Sequence, residues 1–510
     1  MNKIIKCISV GLVLTMAVSC NMDLIPKGSI SYELGQQLIT NQADLDGYEA
    51  NIMYCFRALE YGTYDIAPDV MVDYFNAVSD FGNNYGPIHR TDGGFTAGDS
   101  DVETCWANPY AAIKNFNIFI EGAVSVPAEL KAQADVARGE AFIGRAFAYM
   151  NLARFFGKAY DPATAETDLC VPLVTVYDQS ARPARATVAQ VYSQIKEDLD
   201  SAAVLLASVP GSVRAEKPTI DAVNFMYARY YIDTKDYSNA LAYAERVIGS
   251  DAGYALSSNA AQMQAEWVND EGTEPVLQFY ASPSEGVGGH AAYTQMSKDP
   301  QKGLYYKPYF IPSQKLIDAY TSTDLRFTQW FDGGEYPSFH NAAWYNDGVH
   351  QYYVFNKYPG NPALLSGTDV PNSGHAIKPF LISEMYLIAA EAGLKAGGSS
   401  TVDGTNALNT LQRARKGAVT SLTEENLEDE WYRETVGEGL RMSCLKRWGK
   451  GFDGRPVQNG ASAVANVGPS YDQRSMPAGD YHYQWPIPTY EIQTNLNLVQ
   501  NDGYGVSTAE

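Results

Sequence analysis

The pattern that most limits the fold of this chain is a pair of helical runs joined by only three residues. Ile220 to Asp233 and Tyr237 to Ile248 repeat apolar residues at helical spacing, with Thr234-Lys235-Asp236 between them. So short a link leaves no room for a crossover, so the two helices must pack antiparallel. Ala228, Tyr231, Tyr237, Ala240, Tyr243 and Ala244 alternate small and large across the contact, and small residues let helices approach closely. The hairpin resembles a tetratricopeptide-type unit, although no strict repeat period runs through the chain.

The same periodicity recurs on both sides. Glu103 to Gly122 and Leu130 to Gly157 are helical runs broken by Val126-Pro127, and the second carries Val136, Ile143, Phe147 and Met150 on one stripe. Thr187 to Leu206 places Val188, Val191, Tyr192, Ile195, Leu199, Ala202 and Leu206 at the same spacing, with Thr187 and Gln190 as a capping box. Ile377 to Ala396 and Asn406 to Lys416 predict another hairpin around Gly397-Gly398. A last run covers about 424–445. Its Glu424, Glu425, Glu428, Asp429 and Glu430 read as a solvated first turn that complements the helix dipole.

Two stretches break this pattern. Residues 62–100 read as an irregular loop in which Asp69, Asp73, Tyr74, Phe75, Phe81, Tyr85 and Phe95 sit among Gly and Asn. Aromatic residues argue against disorder there. From about 276 to 375 Gly and Pro interrupt helical periodicity, and short strands such as Tyr352 to Phe355 are predicted. Nineteen Phe, Trp or Tyr fall in the 83 residues 276–358, about 23% against 12% for the chain. Most fill the core of this region. A minority near Gly333-Gly334 or Asn346-Asp347-Gly348 is expected to form a stacking platform, because sugar C–H faces lie on aromatic planes while polar neighbours bond the hydroxyls.

Composition bounds the function. The chain has 510 residues, 45% apolar and 19% charged, which excludes a disordered or polytopic membrane protein. A net charge of −22 repels phosphate backbones, so nucleic acid is not an expected partner. Lys3 and Lys6 precede an apolar run from Ile8 to Val18, a secretory signal too short to span a bilayer. Its ending, Ala17-Val18-Ser19-Cys20, resembles a lipobox, in which the cysteine is acylated and becomes the first mature residue. Cys20 is therefore the candidate lipid anchor. Cys55, Cys105, Cys170 and Cys444 show no metal-like spacing and read as buried free thiols, although an oxidising compartment would let them pair.

No catalytic constellation is found. G-x-S-x-G, H-E-x-x-H and the phosphate-binding G-x-x-x-x-G-K-[ST] are absent from the sequence, and Gly157-Lys158 and Gly449-Lys450 lack the following hydroxyl. His89, His290, His340, His350, His375 and His482 are scattered and read as loop or core residues. Asp99, Asp101 and Glu103 lack the glycine of a calcium loop. No cofactor or metal is expected. A glycosidase needs only two carboxylates, which 59 acidic residues can supply, so the absence of motifs counts against an enzyme without excluding one.

Several motifs, in order, resemble the SusD/RagB family of outer-membrane lipoproteins. They begin with Cys20 and Asp23-Leu24-Ile25-Pro26-Lys27-Gly28-Ser29, then Trp106, Tyr110, Ile113 and Asn117. Arg138-Gly139-Glu140-Ala141, Arg145-Ala146, Tyr149 and Leu152 with Phe155-Phe156-Gly157 follow. Glu384-Met385-Tyr386-Leu387 to Ala392, Arg413, Glu438-Gly439 with Arg441, and Leu445 to Trp448 come later. Pro486-Ile487-Pro488, Glu491, Asn495, Asn497 and Gln500-Asn501 close the series. Leu381 and Cys444 depart from it, standing where the family often has Arg and Asp.

The resemblance covers nearly the whole mature chain. It implies a mainly α fold, a tetratricopeptide-like helical hairpin scaffold with an inserted irregular, partly β ligand-binding region. The expected division is a signal peptide at 1–19, an N-terminal helical region at 20–275, the insertion at 276–376 and a C-terminal helical region at 377–510. It also implies a non-catalytic receptor on the outer membrane, facing outward, that binds glycans and delivers them to a SusC-like TonB-dependent transporter. A peptide-binding receptor of the RagB type and a secreted glycoside hydrolase are the alternatives. Family members bind sugar where the loop after the first helix meets the insertion, here about 69–95 and 305–345. Chosen by position and type, Tyr74, Tyr85, Trp330, Trp344 and Tyr345 are the candidate stacking rings, and Asp73, Asn84 and Arg90 the candidate polar partners.

Overall fold

The computed structural model describes residues 37–284, 288–299, 303–340, 343–365 and 374–505; the leader and Cys20 lie outside them. Twelve helices of eight residues or more are found among the described residues. They are α1 (Gln42–Arg57), α2 (Thr63–Met71), α3 (Ser100–Gly122), α4 (Lys131–Phe156), α5 (Val188–Leu205) and α6 (Ile220–Asp233). After these come α7 (Tyr237–Ile248), α8 (Ala260–Trp267), α9 (Ile382–Ala396), α10 (Ser400–Ala414), α11 (Glu424–Glu434) and α12 (Arg441–Trp448). From Ile39 onward the chain forms one compact unit. No helix among the described residues is long and apolar enough to cross a membrane.

The scaffold is a stack of antiparallel helices. Each of α3 to α7 packs on the next, α9 then lies against α7, and α10 against α9. The chain thus leaves the stack after α7 and rejoins it beside the same helix. The α6–α7 hairpin forms as its spacing predicts. Ala228, Ala240 and Ala244 are buried between the helices, while the Tyr231 and Tyr243 rings stack 5.4 Å apart at the edge. Helix α5 starts in the predicted capping box. Gln190 N–H donates to Thr187 Oγ1 at 3.2 Å, and Thr187 N–H donates to Gln190 Oε1 at 2.9 Å.

The exit and re-entry of the insertion are tied together. Strand Pro275–Leu277 pairs antiparallel with Phe380–Leu381, with Phe380 opposite Leu277. This pairing is why α9 begins at Ile382 and not at the expected Ile377. Gly397 and Gly398 both take positive φ, 71° and 60°, so the chain reverses at once and α10 begins at Ser400, six residues earlier than expected.

Residues 62–100 are more ordered than the sequence reading had them. They contain α2, the strand Phe75–Ala77 and a short helix at Gly86–Arg90. Asp69, Asp73, Tyr74, Phe75, Phe81 and Phe95 are buried. The strand pairs with Phe310–Pro312 of the insertion, Phe75 opposite Pro312 and Ala77 opposite Phe310. Aromatics that looked like loop residues are core because a partner strand from the insertion covers them. Cys55, Cys105, Cys170 and Cys444 are free and buried, and burial pushes the Cys55 and Cys444 thiols up to about 11 and Cys170 to about 12.

An ion network joins the three regions of the chain. Arg415 binds Glu274 at 2.7 Å and Glu434 at 2.5 Å; Arg326 binds Asp324 at 2.8 Å, Glu430 at 2.6 Å and Glu434 at 2.9 Å. All six residues are buried. Glu430 corrects the reading of the acidic stretch as wholly solvated. Glu424 and Glu425 are exposed, but Glu430 lies one and a half turns further along α11 and faces inward to Arg326. Breaking such a buried network from one side leaves unpaired charges in the interior. Arg415→Met should therefore lower unfolding free energy by about 3–5 kcal/mol. Glu424→Ala, which removes an exposed pair with Lys395, should cost less than about 1 kcal/mol. Chemical denaturation of the two variants checks the contrast.

Candidate ligand-binding groove

The insertion carries one long hairpin, Phe331–His340 with Ala343–Phe355. It follows directly from a short helix, Leu325–Trp330, whose N-terminus Asp324 caps by accepting from Arg326 N–H at 2.9 Å. In the register Phe355 faces Phe331, Tyr353 faces Gly333 and Tyr352 faces Gly334. Opposed residues share a face and successive ones alternate, so Phe331, Gly333 and Tyr353 lie on one side. A Cβ on Gly333 would stand 2.4 Å from the Tyr353 ring, so only glycine lets that ring lie flat against the opposite strand.

This side of the hairpin walls an open groove of about 740 Å³. Phe327 packs 5.2 Å from Tyr353 and 5.9 Å from Phe331, giving three rings at one wall. Gln314, Gln351 and Asn459 add amides, and Ser322 and Thr328 add hydroxyls. The Gln458 amide fixes Tyr353 in place. It accepts from Tyr353 N–H at 2.8 Å and donates to Tyr353 O at 3.0 Å and Pro312 O at 2.8 Å. Gln314 Oε1 accepts from Asn459 N–H at 3.0 Å, which ties the short helix Gln314–Asp318 to the turn at 458–460. Among the described residues, none that lines the groove is charged. Rings beside amides and hydroxyls, at a volume typical of ligand sites, suit a neutral molecule with both flat apolar faces and hydroxyls.

The residues chosen from sequence divide into three groups. Asp73, Tyr74 and Trp330 have no exposed surface, which corrects their expected place on an open platform. Trp330 packs edge-on to Trp267 at 5.7 Å, with Lys357 Nζ 4.1 Å above its ring. The Tyr74 ring packs at a tilt 4.6 Å from that of Tyr432, and its hydroxyl donates to Tyr432 O at 3.0 Å. Asp73 pairs with Lys315 at 2.6 Å and Arg441 at 3.2 Å, so it anchors the helix that carries Gln314. Asn84, Tyr85 and Arg90 share a half-buried surface on a different loop. Asn84 Nδ2 donates to Phe81 O at 2.7 Å, Tyr85 Oη lies 3.5 Å from Thr63 Oγ1, and Arg90 binds Asp92 at 2.7 Å and Asn83 at 2.9 Å. Trp344 and Tyr345 stand opposite Phe339 and Ser338 in the hairpin, and their side chains lie outside the described residues.

Phe327, Tyr353, Gln314 and Asn459 were not chosen from sequence. A signal existed for Tyr353, since Gly333-Gly334 opposite Tyr352-Tyr353 is a hairpin register in which glycine accommodates a ring. None existed for Asn459, which the fold brings from more than a hundred residues away.

Residues 63–232 match a family described as starch-binding associating with outer membrane, and residues 257–504 match the SusD family. The chain belongs to the SusD/RagB family. One stretch of 154 residues is 32% identical to the starch-binding protein SusD of Bacteroides thetaiotaomicron, spanning 30% of this chain and 25% of that protein. A SusD superfamily protein of Bacteroides vulgatus superposes with a TM-score of 0.74 at 22% identity, over 91% of this chain and 99% of that one. Another, from B. thetaiotaomicron, gives 0.73 at 23% identity over 90% and 99%. A laminarin-binding SusD-like protein gives 0.69 at 18% identity over 91% and 100%. These structures share the SusD-like helical fold, and at such identities the likeness is one of fold.

Asp73 gives this site a pH dependence. Burial pushes its carboxyl up, but Arg441 and Lys315 outweigh burial and hold it at about 2, below the ordinary 3.8. A depressed carboxylate stabilises the fold above its unfolded pKa, and that contribution is lost as pH falls through the folded value. Asp73→Asn leaves Arg441 without its carboxylate and should be less stable than the parent at neutral pH. The gap should narrow by about 2 kcal/mol between pH 5 and pH 2, which urea midpoints measured across that range would report.

Proposed function

We propose that this chain is a non-catalytic, surface-exposed outer-membrane lipoprotein that binds a neutral glycan and hands it to a SusC-like TonB-dependent transporter. The observation that carries the ligand class is the uncharged lining of the groove among the described residues, on a chain of net charge −22. The net negative charge of the chain and a ring-lined cleft without a cation among its described lining residues disfavour uronic or sulfated chains and leave neutral pyranosides acceptable. Membership of the SusD/RagB family and the glycan-binding names of its relatives support carbohydrate as the ligand. Membership of a family whose relatives are named as binding proteins supports binding without turnover.

Screening the protein lacking residues 1–20 on glycan and peptide arrays would name the ligand. Tyr353→Ala and Phe327→Ala should then each weaken it about thirtyfold by calorimetric titration, the effect of losing a stacked aromatic hot spot worth ~2 kcal/mol. Circular dichroism confirms folding, and folded variants that both bind like the parent would move the site out of this groove.

The anchor rests on the lipobox-like ending at Cys20. Cys20→Ala should transfer the protein from the membrane fraction to the soluble one. A variant that remained membrane-bound and acylated would overturn the anchor.

A further inference from the structure

We propose that the groove between the Thr91–Gly98 loop and the C-terminal segment at Tyr481–Tyr504 is a second carbohydrate-binding site, separate from the hairpin groove. The proposal rests on the carbohydrate reading above and adds a second place of contact. This groove is also about 740 Å³ and open, and it shares no lining residue with the first.

Its wall repeats the device that holds Tyr353. Tyr481 is 44% exposed, and a Cβ on Gly503 would stand 2.3 Å from its ring. Gly503, at φ 86°, therefore supports the ring closely while leaving much of it open to solvent. Tyr504 packs edge-on at 5.1 Å, and the centroid of the His482 ring lies 3.9 Å from that of Tyr481. A rigid, exposed aromatic ring is what a pyranose face stacks on.

Polar groups are fixed beside it. Arg474 Nε donates to Thr91 Oγ1 at 2.6 Å, and none of its terminal N–H groups has a partner among the described residues. Asp92 is held by Arg90 at 2.7 Å and by Gly94 N–H at 3.0 Å, which sets its carboxylate at the same rim. A fixed carboxylate and a guanidinium together accept from and donate to neighbouring ring hydroxyls.

Two grooves on one body would hold a long glycan at two points, so the second contact would form at high effective concentration. The test is native affinity electrophoresis through gels containing starch, laminarin, xyloglucan, arabinoxylan, β-mannan or levan. The parent should be retarded by at least one polymer. Tyr481→Ala should weaken that retention at least about tenfold, Tyr481→Phe should keep it, and Tyr353→Ala combined with Tyr481→Ala should abolish it. Thermal unfolding checks that each variant is folded. If folded Tyr481→Ala is retained like the parent, the second site is overturned and the hairpin groove stands. If the parent is retained by no polymer, the carbohydrate reading falls and this inference falls with it.

Discussion

Glu434 accepts from two arginines at once, Arg326 at 2.9 Å and Arg415 at 2.5 Å, with no exposed surface on either cation. That shared carboxylate joins the insertion, through Arg326, to the C-terminal helices. Arg415 in turn reaches Glu274, where the N-terminal scaffold ends. Burial alone would push the Glu434 carboxyl up, yet Arg415 and Arg326 hold it down at about 2. Buried pairs of this kind add little net stability over an apolar core of equal volume. What they impose is geometry, because a guanidinium left without its carboxylate would be costly, so alternative packings of the three regions are penalised. The hairpin groove inherits its shape from this constraint. Arg326 sits in the short helix that ends at Trp330, where the hairpin strand begins.

The residues that made the family legible in the sequence are of this same kind. Arg145 binds Asp198 at 2.6 Å, Glu384 binds Arg229 at 2.6 Å, and Glu391 binds Arg447 at 2.8 Å. Asn501 accepts from Arg185 at 2.6 Å and donates to Phe156 O and Trp485 O. Each motif is half of a buried pair whose other half lies far along the chain. Such residues hold the scaffold together, so they identify a fold and carry no information about the ligand. Helix positions and the hairpin at α6–α7 were legible for a related reason: periodicity and a three-residue link are local.

The groove was less legible because it depends on direction and on distance in sequence. Trp330 and Phe331 are neighbours, and composition treats them alike. The helix ends between them, so Trp330 turns into the core against Trp267 while Phe331 enters the strand beside the groove. Asp73 and Tyr74 looked like loop residues until the partner strand at Phe310–Pro312 covered them. Gln458 and Asn459 reach Tyr353 and Gln314 only after the chain has folded. Residue type was informative here, since aromatics and amides do line the groove, but which of Trp330 and Phe331 borders it was set by where helix gives way to strand.

The absence of charge among the described residues of the hairpin groove also bears on how a ligand would be held. The long-range field of an acidic protein acts on ions and leaves neutral sugars almost untouched, so it neither speeds nor selects their arrival. Affinity must then come from short-range contacts, and these repay their cost best when the protein groups are already ordered. Both glycine-backed tyrosines meet that condition. Tyr353 is fixed by Gln458 through its backbone and by Gly333 beneath its ring, and Tyr481 by Gly503. A ring that cannot rotate away loses no freedom when a sugar stacks on it. At the two proposed sites the glycine beneath each tyrosine would therefore act on affinity without touching ligand, through the entropy the ring no longer has to lose.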